Sequence, residues 1–110
     1  RKKDIIIRGG ENVTCIEVEE AIYAHDSIAE CSVFGLPDER YGEIVAAVFL
    51  AKPGHSLSEA ELRDFLSTRL ASFKQPVVYW QASETLPRLG TQKIDKRSLR
   101  EKYTQEYLAA

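Results

Sequence analysis

The sequence predicts an α+β domain: a small mixed sheet that opens with an N-terminal β-hairpin and is covered by about three helices. Three observations carry that expectation. A β-branched run, Ile5-Ile6-Ile7, is followed by the glycine pair Gly9-Gly10; the stretch from Glu43 to Ala51 is almost continuously apolar; and two Ser/Thr-x-x-Glu motifs each precede apolar residues at helical spacing. Strand and helix signals follow in the order β-β-α-β-β-α-β-α, with no internal repeat and no low-complexity segment.

Each element has its own warrant. Ile5-Ile6-Ile7 favours an extended strand, Gly9-Gly10 can take up the positive φ of a tight turn, and Glu11-Asn12-Val13 returns as a second extended piece. Thr14-Cys15-Ile16-Glu17 has capping-box spacing, and Val18, Ala21 and Ile22 continue it at helical spacing. A helix should run to about Ala24 and end at His25-Asp26-Ser27. Ala29 to Val33 alternates as a strand, Pro37-Asp38-Glu39-Arg40-Tyr41-Gly42 reads as a turn, and Glu43 to Ala51 returns as the partner strand. Beyond Lys52-Pro53-Gly54-His55, Ser58-Glu59-Ala60-Glu61 is the second capping box, and Leu62, Phe65, Leu66 and Leu70 mark one buried helical face. Val77 to Trp80 is the next strand. Asp95 can cap a last helix in which Leu99 and Tyr103, four residues apart, pack inward.

Composition bounds the function. The 110 residues, 44% hydrophobic and 29% charged, suit one compact domain that is too small to enclose a core and a deep substrate cavity together. A part of an enzyme is expected rather than a whole one, and the abrupt, charged opening Arg1-Lys2-Lys3-Asp4 suggests a fragment of something longer. The formal net charge of −2 gives no global field to attract nucleic acid or an acidic membrane. One local basic run stands out, with Arg88, Lys93, Lys96, Arg97, Arg100 and Lys102 against Asp95 and Glu101. Cys15, Cys31, His25 and His55 have no metal-ligand spacing, so no metal site is expected, and reduced thiols fit a cytoplasmic protein. No apolar run approaches transmembrane length, and the opening Arg1-Lys2-Lys3-Asp4 does not have the apolar region expected of a signal peptide.

Taken singly, the noticeable residues have ordinary explanations. Gly9-Gly10 is turn chemistry, since no phosphate-loop pattern follows it; Tyr41 and Phe73 are half-buried aromatics; Cys15 is a small buried hydrophobe. Lys93 and Lys96 read as solvated charges, the second on the exposed face of the last helix.

Their joint order changes that reading. Arg1-Lys2-Lys3-Asp4-Ile5-Ile6, Gly9-Gly10-Glu11-Asn12-Val13, Glu17-Val18-Glu19, Leu36-Pro37-Asp38-Glu39-Arg40-Tyr41-Gly42-Glu43, Phe73-Lys74-x-Pro76, Leu86-Pro87-Arg88, and Lys93-Ile94 through Leu99-Arg100 follow one another across nearly the whole chain. Together they resemble the C-terminal domain of the adenylate-forming superfamily, which comprises acyl- and aryl-CoA synthetases, adenylation domains of nonribosomal peptide synthetases and beetle luciferases. The version of the glycine motif here resembles that of the CoA ligases. The resemblance implies that residues 1–110 are the mobile C-terminal domain of an AMP-forming acyl-CoA synthetase. Its larger N-terminal domain would bind ATP, with Mg²⁺, and the carboxylic acid, expected to be a fatty acid. A carboxylate would attack the α-phosphate of ATP to give an acyl-adenylate and pyrophosphate; the thiol of coenzyme A would then take the acyl group and release AMP.

By the same matching, Lys93 falls on the catalytic lysine of adenylation, Arg1 on an ATP-binding arginine and Lys3 on the hinge. Gly9 and Gly10 fall on a hairpin that passes the pantetheine arm, and Tyr41, Phe73 and Lys74 fall near positions that bind the CoA nucleotide in some members. The sequence departs from the family pattern at Gln92, where glycine commonly precedes the lysine, and at Cys15, where proline commonly opens the helix. Two alternatives stand beside this reading: the corresponding subdomain of a peptide-synthetase adenylation domain, and a free-standing phosphate- or RNA-binding module using Lys96, Arg97 and Arg100. The module has neither a matching motif nor a basic net charge in its favour, and no nucleic-acid partner is expected.

Overall fold

The computed structural model of the chain describes residues 4–109, so Arg1 and Lys3 lie outside the described residues. Strands β1 (Ile5–Arg8) and β2 (Glu11–Thr14) form the expected antiparallel hairpin, with Arg8 paired to Glu11 across the two-residue turn. Gly9 and Gly10 have φ of +58° and +88°, the two positive values that a type I′ turn demands. Helix α1 (Cys15–Tyr23) follows without a loop. A long hairpin, β3 (Ile28–Asp38) and β4 (Gly42–Ala51), then forms the body of the sheet. Helix α2 (Glu59–Ser67), a 3₁₀ turn (Ser72–Lys74), β5 (Val78–Gln81) and helix α3 (Lys96–Ala109) complete the chain.

The sheet has the order β2-β1-β4-β3, antiparallel throughout, and β5 adds to β4 in parallel. Because β3 occupies one edge of β4 along its whole length, β1 and β5 share the other. β1 meets β4 at the single pair Arg8–Gly42. A side chain reinforces the junction: Glu43 Oε1 accepts the Ile7 N–H at 2.9 Å. Gly35 makes room for that carboxylate, since a Cβ there would lie 2.7 Å from Glu43 Oε2.

Both faces of the sheet are covered, which explains why β4 reads as an unbroken apolar run instead of an alternating one. Val45, Ala47 and Phe49 point to a core shared with Val18 and Ile22 of α1 and Leu62 and Leu66 of α2. Ile44, Ala46 and Val48 point to the opposite core, closed by Leu99 and Tyr103 of α3. Burying a Val, Leu or Phe side chain in this way contributes about 1.5–3 kcal/mol. Trp80 of β5 tilts against Tyr103 with ring centroids 4.7 Å apart, docking α3 onto the sheet.

Two local expectations need correction. The turn assigned to residues 37–42 is shorter, because β3 continues through Pro37-Asp38, paired to Glu43 and Gly42, and Asp38 Oδ2 then accepts the N–H groups of Arg40 and Tyr41. The capping box at Thr14 does not form either: the Thr14 side chain makes no cap hydrogen bond. Thr14 is held in the β2 ladder opposite Ile5, and the first helical N–H, that of Cys15, goes to the Asp4 carbonyl at 2.8 Å. At Ser58, free of any ladder, both halves of the box are present. Asp95 caps α3 as expected, accepting from the Ser98 N–H at 3.2 Å.

Candidate functional site

Lys93 lies on a loop tied down at both ends. Arg88 and Ile94 form an isolated antiparallel bridge, and within it Leu89 N–H donates to the Lys93 carbonyl at 2.7 Å and Gln92 N–H to the Leu89 carbonyl at 2.9 Å. Arg88 braces the entry. Its guanidinium donates to the Gln92 carbonyl at 2.8 Å and pairs with Glu30 of β3, whose other oxygen accepts the Leu86 N–H at 2.8 Å. The Lys93 side chain projects from this braced loop into solvent. Gln92 has φ of +72°, so the position where the resemblance leads one to look for glycine has kept the backbone that favours glycine.

On the far side of the loop sits a residue expected to be a solvated charge. Lys96, the first residue of α3, pairs with the Asp4 carboxylate and, at 2.8 Å, with Glu19 Oε2 of α1; its side chain is only 25% exposed. Burial works against its charge, but the hydrogen bonds it donates to Asp4 and Glu19 outweigh that and hold the ammonium above the ordinary lysine range. Asp4 stands 92 residues away in sequence, so no local motif could have announced this contact. Arg97 is paired with Glu101 at 3.4 Å, so with Arg88 and Lys96 three of the six basic residues of the run have an acidic partner within the domain.

The residues matched to CoA binding fall into two groups. Gly9, Gly10 and Tyr41 are together: Gly9 N–H donates to the Tyr41 carbonyl at 2.8 Å, and a Cβ on Gly9 would lie 3.1 Å from the Tyr41 ring. Gly10 faces open space. The Tyr41 ring is flanked by two guanidiniums that sequence reasoning did not single out, Arg8 at 4.2 Å and Arg40 at 5.2 Å from its centroid. Phe73 and Lys74 are elsewhere. Phe73 packs on the core shared with α1 and α2, Tyr41 on the core beneath α3, so the sheet separates them. Lys74 is already engaged, with Nζ 2.9 Å and 3.0 Å from the two oxygens of Glu17.

Neither cysteine is placed for nucleophilic chemistry. Both are buried thiols, and burial, aided by the Glu19 carboxylate, pushes Cys31 up to about 12. Among the described residues no cluster of His, Cys, Asp and Glu could hold a metal ion, and no helix is long and apolar enough to cross a membrane. A groove between residues 81–87 and α3, lined by Glu84, Ser98 and Lys102, does not include Lys93.

The family model for the AMP-binding enzyme C-terminal domain matches residues 17–93. The chain is 43% identical over 106 residues to the long-chain-fatty-acid–CoA ligase FadD13 of Mycobacterium tuberculosis, covering 94% of this chain and 20% of that protein. It is 39% identical over 104 residues to an oxalate–CoA ligase of Saccharomyces cerevisiae, covering 94% and 19%. Its fold superposes on apo MatB from Rhodopseudomonas palustris with a TM-score of 0.88 at 37% identity, covering 97% of this chain and 21% of that one. The chain thus spans about a fifth of the length of the curated relatives it matches.

Proposed function

The chain belongs to the AMP-binding enzyme C-terminal domain family, and from that premise we propose that it is the mobile domain of an ATP-dependent acid–thiol ligase, delivering Lys93 to the adenylation step. A carboxylate is joined to the α-phosphate of ATP with loss of pyrophosphate, and the thiol of coenzyme A then displaces AMP from the acyl-adenylate. Two anions meet in the first step, so a cation at the attacking oxygen stabilises both their approach and the charge that develops. An ammonium on four methylenes can span an interdomain gap.

The observation that carries this reading is the contrast at residues 88–96. The backbone of the loop is braced by Arg88, Glu30 and Lys96, while the Lys93 side chain is left in solvent. A solvated charge in an ordinary loop has no need of such bracing; a cation presented to another domain does. Arg1 and Lys3, as nucleotide contact and hinge, belong to the same proposal. The 43% identity to a long-chain-fatty-acid–CoA ligase supports a fatty acid as the substrate, and the similar identity to an oxalate–CoA ligase is in keeping with acyl selection by the larger N-terminal domain. For the second step, the Gly9-Gly10 turn with Tyr41, Arg8 and Arg40 is the proposed approach for coenzyme A. Lys74 would have to leave Glu17, across the sheet from Tyr41, to reach the same coenzyme A.

The test is made in the full-length enzyme. Lys93→Ala should lower acyl-adenylate formation about 10²-fold or more, the scale for losing one preorganised charge, while pre-made acyl-adenylate and coenzyme A are still converted at close to the parent rate. Gly10→Asn should do the reverse, because asparagine tolerates positive φ and fills the open space. Arg97→Ala, with a side chain 85% exposed, is the control and should change neither step. Equal loss of both half-reactions in Lys93→Ala would overturn the proposal.

A further inference from the structure

The ion-pair cluster around Lys96 joins parts of the chain that the reaction has to keep in register. Lys96 follows Lys93 by three residues and opens α3. Asp4 is the first described residue after Lys3 and leads into β1. Glu19, on α1, accepts from Lys96 and also takes the Val33 N–H at 2.9 Å with the same oxygen, Oε2. The Asp4 carbonyl accepts the Cys15 N–H at the start of α1. One ammonium therefore ties the exit of the Lys93 loop to the segment by which the chain enters the domain, and both to the α1–β3 body.

We propose that Lys96 is a positioning residue for adenylation: through Asp4 and Glu19 it locks the Lys93 loop to the strand next to the hinge, so that rotation about the hinge sets the position of Lys93 without slack. This rests on the reading of Lys93 as the adenylation cation and of residue 3 as the pivot. The geometry supplies what a pivoting domain needs. If the loop could shift relative to the chain entering at residue 4, a given domain orientation would leave Lys93 spread over several positions. A misplacement of about 1 Å can cost on the order of 10²-fold in rate. The opposite end of the loop is already fixed by Arg88 to Glu30 and to the Gln92 carbonyl, so Lys96 completes a two-point support. The cluster is electrostatically specific. Without the ammonium, the carboxylates of Asp4 and Glu19 lose the cation between them and repel, driving apart the elements that the pair held together.

The experiment compares Lys96→Met, Lys96→Arg, Asp4→Asn and Lys93→Ala in the full-length enzyme, measuring each half-reaction separately. Lys96→Met should slow acyl-adenylate formation by about 10-fold to 10²-fold, expressed in kcat and with little change in the KM for ATP. Thioester formation from pre-made acyl-adenylate should stay within about twofold of the parent, the range of an ordinary surface change. Lys96→Arg should restore most of the adenylation rate. In the double variant Asp4→Asn should add no further loss to Lys96→Met and should relieve part of it, because it removes one of the two carboxylates left repelling across the same link. Equal slowing of both half-reactions by Lys96→Met, with no rescue by arginine, would make the cluster merely structural and overturn the proposal, as would an unchanged adenylation rate. Lys93→Ala separates the two levels. If it leaves adenylation intact, the proposed function fails; if it slows adenylation while Lys96→Met does not, only the positioning role fails.

Discussion

At the scale of single residues, Gln92 shows backbone and side chain in conflict. Its φ of +72° lies in the left-handed region, where a residue with a Cβ loses about 1–2 kcal/mol relative to the right-handed form. Glycine avoids that cost but orders a more flexible unfolded chain, giving back about 0.5–1 kcal/mol. Gln92→Gly should therefore stabilise the 110-residue chain by up to about 1 kcal/mol, and Gln92→Val should destabilise it by about 1 kcal/mol or more. Urea midpoints of the three proteins check this; the order Val ≥ Gln ≥ Gly would show that the loop adopts another backbone in solution. The sequence already marked position 92 as the place where glycine is usual, so the oddity was legible although its geometry was not. Lys96 was not legible in the same way. A lysine at a helix start looks solvated by every local criterion, and only the fold brings Asp4 and Glu19 to it.

At the scale of elements, two near-identical motifs part company. Thr14-x-x-Glu17 and Ser58-x-x-Glu61 both have capping-box spacing, and only the second forms the box. The distinction is one of context: Thr14 is the last residue of a paired strand, whereas Ser58 leaves a loop and can turn its hydroxyl to the Glu61 N–H at 3.1 Å. Ser58→Ala should cost about 1 kcal/mol of stability, near the middle of the range for an N-cap, and Thr14→Ala a few tenths at most. Thermal or urea unfolding of the two variants measures the difference, and equal costs would mean that Thr14 caps α1 in solution. Glu17, released from the box, pairs with Lys74 at 2.9 Å; with the glutamate side chain 47% exposed, that pair contributes about 0–1 kcal/mol. The strands were easier to read because apolar runs and glycines encode them directly. Partner choice was harder: nothing local states that β5 pairs in parallel with β4, because that requires knowing that β1 leaves the shared edge after Gly42.

At the scale of the whole molecule, the two-sided core makes the alkaline limit of stability a collective property. Burial pushes the Cys31 thiol from about 9 up to about 12 and the Tyr79 hydroxyl from about 10 up to about 12, and raises Tyr23 as well, while ion pairs raise Lys96. All four shifts have the same sign. The folded chain holds each proton more tightly than the unfolded chain does, so their contribution is complete below the unfolded pKa values and is lost as pH rises through the folded ones. The contribution of these four groups should thus be level below about pH 9 and fall steadily towards about pH 12. Glu61 acts in the opposite direction: hydrogen bonds from Ser58 hold it below the usual glutamate value, so its contribution is present above the ordinary glutamate range and is lost only as acid carries the pH through that lowered value. Cys31 is the earliest of these four, since a thiol in the unfolded chain ionises at lower pH than tyrosine or lysine. In Cys31→Ala the decline between about pH 9 and about pH 12 should be shallower by the share this one thiol contributes, whatever the variant loses at neutral pH from its smaller side chain. Urea midpoints of both proteins from pH 7 to about 12 would show it as a reduced slope. Superimposable profiles after subtraction of the neutral-pH difference would mean that the Cys31 thiol keeps an ordinary pKa in the folded chain, and that the core between α1 and β3 admits water.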